Sequence, residues 1–143
     1  MSKEYIHYGS DKFDINKFNR INYKDVFPIR TIKPYGGLWA SPVDSSWNWC
    51  DWCIQNDFNL DKLNEYFKFK LKNDAKVLYV NSIDDIKKYY INTNGFDYID
   101  FEHILLDCYD AMEVTMNSEI YFTLYGWDVD TLLIFNPNCI VLE

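Results

Sequence analysis

The sequence predicts an α+β fold, a single domain built on a mixed or antiparallel split sheet with short helices. Phe67, Phe69 and Leu71 alternate with lysines, which is the period of a strand with one buried face. Apolar runs at Lys76–Val80 and Asp130–Asn136 indicate buried strands. Strands dominate and helix-start residues occur only between some of them, so the pattern does not favour a repeating βαβ fold.

The first half of the chain is predicted to contain two strands and one helix. They lie at Tyr5–Tyr8, at Gly37–Ala40, and from an N-cap at Asp44 or Ser45 to about Asn56. The segment Asp14–Ile29 is predicted to be mostly irregular, because Pro28 cannot occupy a helix interior or a central strand.

The second half is predicted to mix short helices with strands. We expect a helical turn within Asn59–Phe67, strands at Tyr66–Leu71 and Lys76–Val80, helices capped by Ser82 and by Asp100 (the latter ending near Cys108), extended segments at Ala111–Thr115, Glu119–Leu124 and Asp130–Asn136, and a last strand at Cys139–Leu142. Asp85 falls in the first turn of its helix, where the helix dipole favours a carboxylate.

Composition restricts the classes of partner. The 143 residues form one domain, residues 1–143, and 48% hydrophobic against 25% charged residues is typical of a globular protein. The net charge of −8, without a basic stripe, makes nucleic acid an unlikely ligand, because a phosphate backbone needs a basic face. An acidic surface suits a basic protein partner.

The N-terminus carries no apolar signal-peptide core, and no apolar run of membrane-spanning length occurs. We therefore expect a cytoplasmic protein that does not bind membranes. The four cysteines are expected to be reduced thiols in that compartment.

Cys50 and Cys53 form a Cys-x-x-Cys pair that is weak support for a metal or redox site. Zinc needs four ligands, and the remaining cysteines and histidines have no second paired spacing. A thioredoxin-type pair lies at a helix N-terminus, whereas this pair lies inside the predicted helix. We expect no bound metal and interpret the pair as a buried helix face, with a metal or redox protein as the less favoured alternative.

His7 is predicted to end a strand just before a glycine turn. A histidine there can point into a cleft and hydrogen-bond a ligand hydroxyl, or it can be a structural residue satisfied by the backbone. Asp128 and Asp130 precede the most hydrophobic strand, and a period of two places both on one face. Such carboxylates can serve a site at the mouth of the strand, or they can form a solubilising pair at its edge.

Four of the five tryptophans lie close together, at Trp39, Trp47, Trp49 and Trp52. Flat aromatic side chains beside a polar loop can hold a planar ring by stacking. Trp39 follows Gly36 and Gly37, where missing side chains would let a ligand approach the backbone. Core packing is the alternative interpretation for at least two of these tryptophans.

These segments occur in a characteristic order: His7-Tyr8-Gly9-Ser10, then the GGLWAS segment 36–41, then a loop and helix with Ser45, Ser46, Trp47 and Trp49, then Asp130. In that order the chain resembles the ADP-ribosyltransferase family, in its diphtheria-toxin/PARP-type branch with an H-Y-E-like motif set. It is also similar to small phage-encoded proteins of that type, including ADP-ribosylating anti-CRISPR proteins. The resemblance extends over the whole chain.

The resemblance implies an NAD-dependent ADP-ribosyltransferase, a glycosyltransferase with NAD as its cofactor. The cofactor-binding residues that it implies are His7, Gly9, Ser10, Gly37, Leu38, Trp39, Ser41, Ser45, Trp47 and Trp49. His7 would hydrogen-bond the adenosine ribose, and Trp39 or Trp49 would stack on the nicotinamide.

For catalysis the resemblance implies Asp130 and Asp128. Asp130 would accept a hydrogen bond from the 2′-OH of the nicotinamide ribose, and Asp128 holds the position that commonly addresses the acceptor. A carboxylate beside that ribose suits the reaction, because cleavage of the N-glycosidic bond develops oxocarbenium character. The implied partner is a host protein acceptor, modified in the host cytoplasm, with a possible anti-defence role.

Two other functions stay open. A protein that has this fold but does not turn NAD over would be a non-catalytic NAD- or nucleotide-binding module. An acidic surface would also suit a protein inhibitor that acts by occlusion.

Overall fold

In the part of the chain that the structure describes, seven strands form one mixed sheet and two more form a separate hairpin. The protein is described here from a computed structural model, which describes residues 3–22, 33–93, 96–124 and 127–143. Within them the strands are β1 Glu4–Tyr8, β2 Leu38–Pro42, β3 Tyr66–Leu71, β4 Val77–Val80, β5 Tyr90–Thr93, β6 Phe96–Ile99, β7 Ala111–Val114, β8 Thr131–Ile134 and β9 Ile140–Leu142. The large sheet has the order β4-β7-β8-β2-β1-β3-β9.

Over the described ranges four short α-helices connect or cover the strands: α1 Trp49–Asn56, α2 Ile83–Ile86, α3 Phe101–Leu106 and α4 Ser118–Thr123. Single 3-10 turns lie at Ile15–Lys17, Leu60–Asn64 and Pro137–Cys139. Among the described residues no helix combines the length and the apolar character that a membrane span requires.

The sheet is weakly joined in its middle. β4 and β7 pair in parallel and the other neighbours are antiparallel. β1 pairs with β3 along its whole length, but with β2 only at Tyr5↔Pro42 and Ile6↔Ser41. Beyond Ile6 the two strands separate, and this separation creates the space for the candidate site.

Side chains that alternate along the strands pack into two hydrophobic cores, one on each face of the sheet. Met112, Val114 and Leu133 face the core that α2, α3 and α4 cover, to which Ile86 and Ile104 belong. The opposite face buries a second cluster with Tyr5, Phe69, Leu132 and Ile134 at its centre. Such alternation follows from the two-residue period of a strand, and it gives the central strands a buried side chain on both faces.

One charged side chain lies inside the second core. Glu113 on β7 is 3% exposed and accepts hydrogen bonds from the Tyr5 hydroxyl and from Lys3 Nζ, the latter at 2.6 Å. Burial together with this carboxylate raises the pKa of Tyr5. Because both carboxylate oxygens are bonded, the buried charge is compensated.

The predicted α+β class with a mixed sheet and short helices is confirmed. The expected strands Tyr5–Tyr8 and Tyr66–Leu71 are present as β1 and β3, and Asp100 caps α3 by accepting from the backbone N–H of His103. Of the segment Asp14–Ile29, residues 23–29 lie outside the described residues.

Two local expectations were wrong. The first helix begins at Trp49 and not after Asp44 or Ser45, because Asn48 and Asp51 form a reciprocal capping box at its start. That start puts Cys50 in the first turn of α1, so the Cys-x-x-Cys pair begins at the helix N-terminus and does not lie inside the helix as expected. Glu119–Leu124 is helical and not extended, since Asn117 caps α4 through the backbone N–H of Ile120. The β5–β6 hairpin was not anticipated.

Candidate functional site

A cleft of about 320 Å³ opens where β1 and β2 stop pairing. Its lining comes from four parts of the chain: Ile6, His7, Tyr8 and Gly9; Lys33, Trp39, Ala40 and Ser41; Trp49, Asn59 and Lys62; and Trp127, Asp128, Val129 and Thr131. The volume is at the lower end of the range for small-molecule sites, and apolar walls with a few polar groups are typical of such sites.

His7 lies at the point of separation between the strands. Its Nδ1 is 2.6 Å from the carbonyl oxygen of Trp39. A carbonyl can only accept, so Nδ1 donates and Nε2 is the acceptor nitrogen of the neutral ring. Burial lowers the pKa of His7, an effect that the bond to Trp39 partly opposes. The ring is therefore neutral at pH 7 and packs on Phe67, with 5.1 Å between ring centroids.

Trp39 forms one aromatic wall of the cleft. Its ring centroid lies 5.0 Å from that of Trp127, and its Nε1 donates to the carbonyl oxygen of Gly36 at 3.1 Å. Lys33 Nζ lies 5.1 Å from the centroid of the Trp39 ring, within reach of a cation–π contact. These contacts fix the indole plane against the sheet.

Trp49 forms a second wall and is the first residue of α1. Its backbone N–H donates to the Ser41 hydroxyl at 3.2 Å, which joins the helix start to β2. Its ring stacks on Trp52, with centroids 5.1 Å apart and an interplanar angle of 9°. Phe58 packs edge-on against both indoles.

Asp128 and Asp130 have different surroundings. Asp128 is half-buried and lines the cleft; Trp47 Nε1 donates to its backbone carbonyl at 2.9 Å. Among the described residues its carboxylate has no hydrogen-bond or ion-pair partner. Asp130 does not line the cleft, and both of its carboxylate oxygens are occupied, by Met116 N–H and by the Ser45 hydroxyl, each at 2.6 Å.

The residues predicted for the site are divided among three cavities, and two of them line none of the three. The cleft contains His7, Gly9, Trp39, Ser41, Trp49 and Asp128. Ser10, Gly37 and Leu38 line a second cavity of about 330 Å³, which His7 also borders, and Trp47 lines a third of about 450 Å³ together with Asp128. Ser45 and Asp130 line none of the three and bind each other.

The glycine pair before Trp39 makes room for the protein itself. A Cβ on Gly36 would lie 2.3 Å from the carbonyl oxygen of Arg20, and one on Gly37 would lie 2.6 Å from Leu133 Cδ1. Both glycines have φ values in the left-handed region, +88° and +74°. The space beside Gly36 is therefore filled by the backbone of Arg20, and it is not open to a ligand as the sequence predicted.

Sequence reasoning missed the two cations of the cleft. Among the described residues Lys33 and Lys62 are the cations that line it, and Asp128 is the one carboxylate. Lys62 lies in the 3-10 turn after Asn59, and no motif marks either lysine. In a chain of net charge −8, this cleft is locally basic.

The cysteines lie outside the cleft lining. Cys53 and Cys139 are buried, Cys50 is half-buried, Cys108 is exposed, and all four are free thiols. Burial raises the pKa of Cys53, and it raises that of Cys139 to about 11. In the part of the chain that the structure describes, no group of three or more His, Cys, Asp or Glu residues could hold a metal ion.

Comparison of this chain with protein-family models, with curated proteins and with solved structures finds no match.

Proposed function

We propose that the cleft binds NAD and that the protein is an ADP-ribosyltransferase with an ADP-ribosyltransferase-like fold. One observation carries the proposal. His7, Trp39, Trp49 and Asp128 come from distant parts of the sequence and line a single cleft, and the Asp128 carboxylate has no hydrogen-bond or ion-pair partner among the described residues. These are residue types that the resemblance to ADP-ribosyltransferases assigns to NAD binding and turnover.

The charges of the cleft support a dinucleotide ligand. A pyrophosphate carries two negative charges, and lysine side chains suit phosphate groups as point charges. Lys33 and Lys62 supply such charges in an otherwise acidic protein. Trp39 and Trp49 offer flat walls for the nicotinamide, and His7 Nε2 can accept a hydrogen bond from a ribose hydroxyl.

We assign the catalytic carboxylate to Asp128. The oxygens of Asp130 are already bonded to Ser45 and Met116, so a ribose hydroxyl would have to displace one of them. Asp128 lines the cleft and its carboxylate has no partner among the described residues. In this assignment Asp130 has a structural role, because its hydrogen bonds hold in place the segment that carries Asp128.

In the proposed reaction the bond between C1′ of the ribose and the nicotinamide nitrogen breaks. The bonding electrons stay on that nitrogen, neutral nicotinamide leaves, and positive charge develops on the ribose. Asp128 stabilises that charge, a contribution of about 10²–10³ in rate for one preorganised electrostatic group. A nucleophile of the acceptor bonds to C1′ and loses its proton. By the resemblance, we propose an acceptor macromolecule of the host cell.

The test combines two measurements on the intact protein. NAD should raise the thermal midpoint in a titration, and incubation with NAD and host lysate should release nicotinamide and label a protein. A thermal shift without nicotinamide release would favour a non-catalytic NAD module. The absence of both effects would refute the proposal and leave inhibition by occlusion as the better explanation.

A further inference from the structure

A shallow groove of about 450 Å³ lies beside the cleft, between α1 and α4. We call it the α1–α4 groove; the lining residues that matter here are Trp47, Trp52, Tyr121, Phe122 and Asp128. None of the lysines or arginines among the described residues lines it, and Asp128 is its one carboxylate.

The groove presents aromatic side chains to solvent. Phe122 is 82% exposed and Tyr121 is 51% exposed, and their ring centroids lie 5.6 Å apart. Trp52 is half-buried beside them. Adjacent exposed aromatic side chains in one concave surface are typical of a binding surface, in contrast to scattered single exposures.

Two contacts connect the groove to the cleft. Asp128 lines both cavities. Trp49 lines the cleft and stacks on Trp52, which lines the groove. A molecule in the groove would therefore lie against Asp128, as a ligand in the cleft would, and against the other indole of the Trp49–Trp52 stack.

The chemistry of the groove selects a cation with a flat, weakly hydrated surface. Aromatic faces attract cations within about 6 Å of the ring centroid, and a carboxylate adds a direct ion pair. Arginine combines both contacts better than lysine, because its guanidinium is planar and stacks on aromatic rings. The net charge of −8 favours a basic segment over an acidic one.

We propose that the α1–α4 groove binds an arginine-bearing segment of a protein partner, with the guanidinium between the aromatic rings and Asp128. Its role as the acceptor surface rests on the proposed transferase function. Binding of the segment does not, because the aromatic rings and the carboxylate that would contact it all belong to the protein.

The experiment measures the binding of a fluorescein-labelled twelve-residue peptide with four arginines separated by Gly and Ser, by anisotropy and without NAD. The same peptide with glutamine at the arginine positions is the ligand control. Tyr121→Ser and Phe122→Ser are the test variants. Tyr79→Ser is the matched control, since Tyr79 is 55% exposed on β4 and lines neither cavity.

Wild type should bind the arginine peptide more tightly than the glutamine peptide. Tyr121→Ser and Phe122→Ser should each weaken binding about three- to tenfold, the size of a lost cation–π contact, and Tyr79→Ser should not. Equal binding of the two peptides, or equal binding by Tyr121→Ser and Tyr79→Ser, would overturn the proposal.

The NAD titration of the same variants separates this proposal from the transferase function. If the groove variants lose the peptide but keep the NAD-induced thermal shift, the groove is a separate surface. If wild type binds the peptide but not NAD, the groove stands and the proposed function fails.

Discussion

The Ser45 hydroxyl donates a hydrogen bond of 2.6 Å to Asp130 across 85 positions of sequence. The other carboxylate oxygen of Asp130 accepts a hydrogen bond from the backbone N–H of Met116. The backbone N–H of Asp130 donates to the carbonyl oxygen of Trp47. Asp130 therefore ties three segments together beside the cleft.

Asp128 and Asp130 should respond differently to substitution. We expect Asp128→Asn to lower nicotinamide release about 10²–10³-fold with an unchanged thermal midpoint, because its carboxylate has no partner to lose among the described residues. Asp130→Ala should cost about 1–3 kcal/mol of unfolding free energy, because donors from Ser45 and Met116 lose their acceptor. Turnover assays and denaturant titrations on both variants check these expectations. If Asp130→Ala abolishes turnover while Asp128→Asn does not, the catalytic role belongs to Asp130.

Lys62→Gln should weaken NAD binding without destabilising the fold. Lys62 is exposed, and among the described residues its side chain has no hydrogen-bond or ion-pair partner. Loss of one phosphate-facing charge should raise the dissociation constant about three- to tenfold at low salt. Calorimetry at two salt concentrations measures this. Lys87→Gln is the matched control, since Lys87 is exposed and lines none of the three cavities.

Gly37→Ala should destabilise the protein more than Gly9→Ala. Both glycines have positive φ, +74° and +107°, so alanine is strained at either position. At Gly9 the added methyl group would meet nothing within 4 Å, whereas at Gly37 it would clash with Leu133 and with the carbonyl oxygen of Ile134. Overpacking should add about 1–3 kcal/mol, measurable as a difference in urea midpoints. Equal midpoints would mean that β8 shifts to accommodate the methyl group.

His7 should make the fold less stable in acid. Its pKa is lowered from 6.5 in the folded state, chiefly by burial. Below about pH 6.5 the unfolded chain binds a proton that the folded chain resists, so the unfolding free energy falls as pH falls towards the folded pKa. Above that window the effect is absent. His7→Gln should flatten this dependence below about pH 6.5 in denaturant titrations, and an unaltered slope would contradict it.

The native thiols should differ in reactivity. Cys108 is exposed and should react first with iodoacetamide. Cys53 and Cys139 are buried with raised pKa values, so little thiolate forms at neutral pH, and they should react only after denaturation. Peptide mass mapping after brief alkylation gives the order. Early labelling of Cys53 would revive a reactive Cys-x-x-Cys pair.

Local periodicity predicted the strands well and the placement of the carboxylates poorly. β3 could be predicted from the sequence because Phe67 and Phe69 alternate with lysines. The sequence around Asp128 and Asp130 also alternates, but both residues precede β8, and tertiary hydrogen bonds from Ser45 and Met116 fix the side chain of Asp130 alone. No pattern within the segment reports partners so far away along the chain.

Contacts between residues distant in sequence also explain why the cleft lysines and the helix α4 were not predicted. Lys62 enters the cleft through the turn before β3, a geometry that depends on Asn59 in the left-handed region. Residues 119–124 contain β-branched and aromatic side chains that favour a strand, yet the cap at Asn117 and the burial of Ile120 and Leu124 stabilise a helix.

All five tryptophans border either the cleft or the α1–α4 groove. Trp39, Trp49 and Trp127 line the first, and Trp47 and Trp52 line the second. The tryptophan emission of this protein therefore originates entirely at its two candidate binding surfaces, with no indole elsewhere to dilute a change. A ligand at either surface can be followed by intrinsic fluorescence, without a dye or an engineered label.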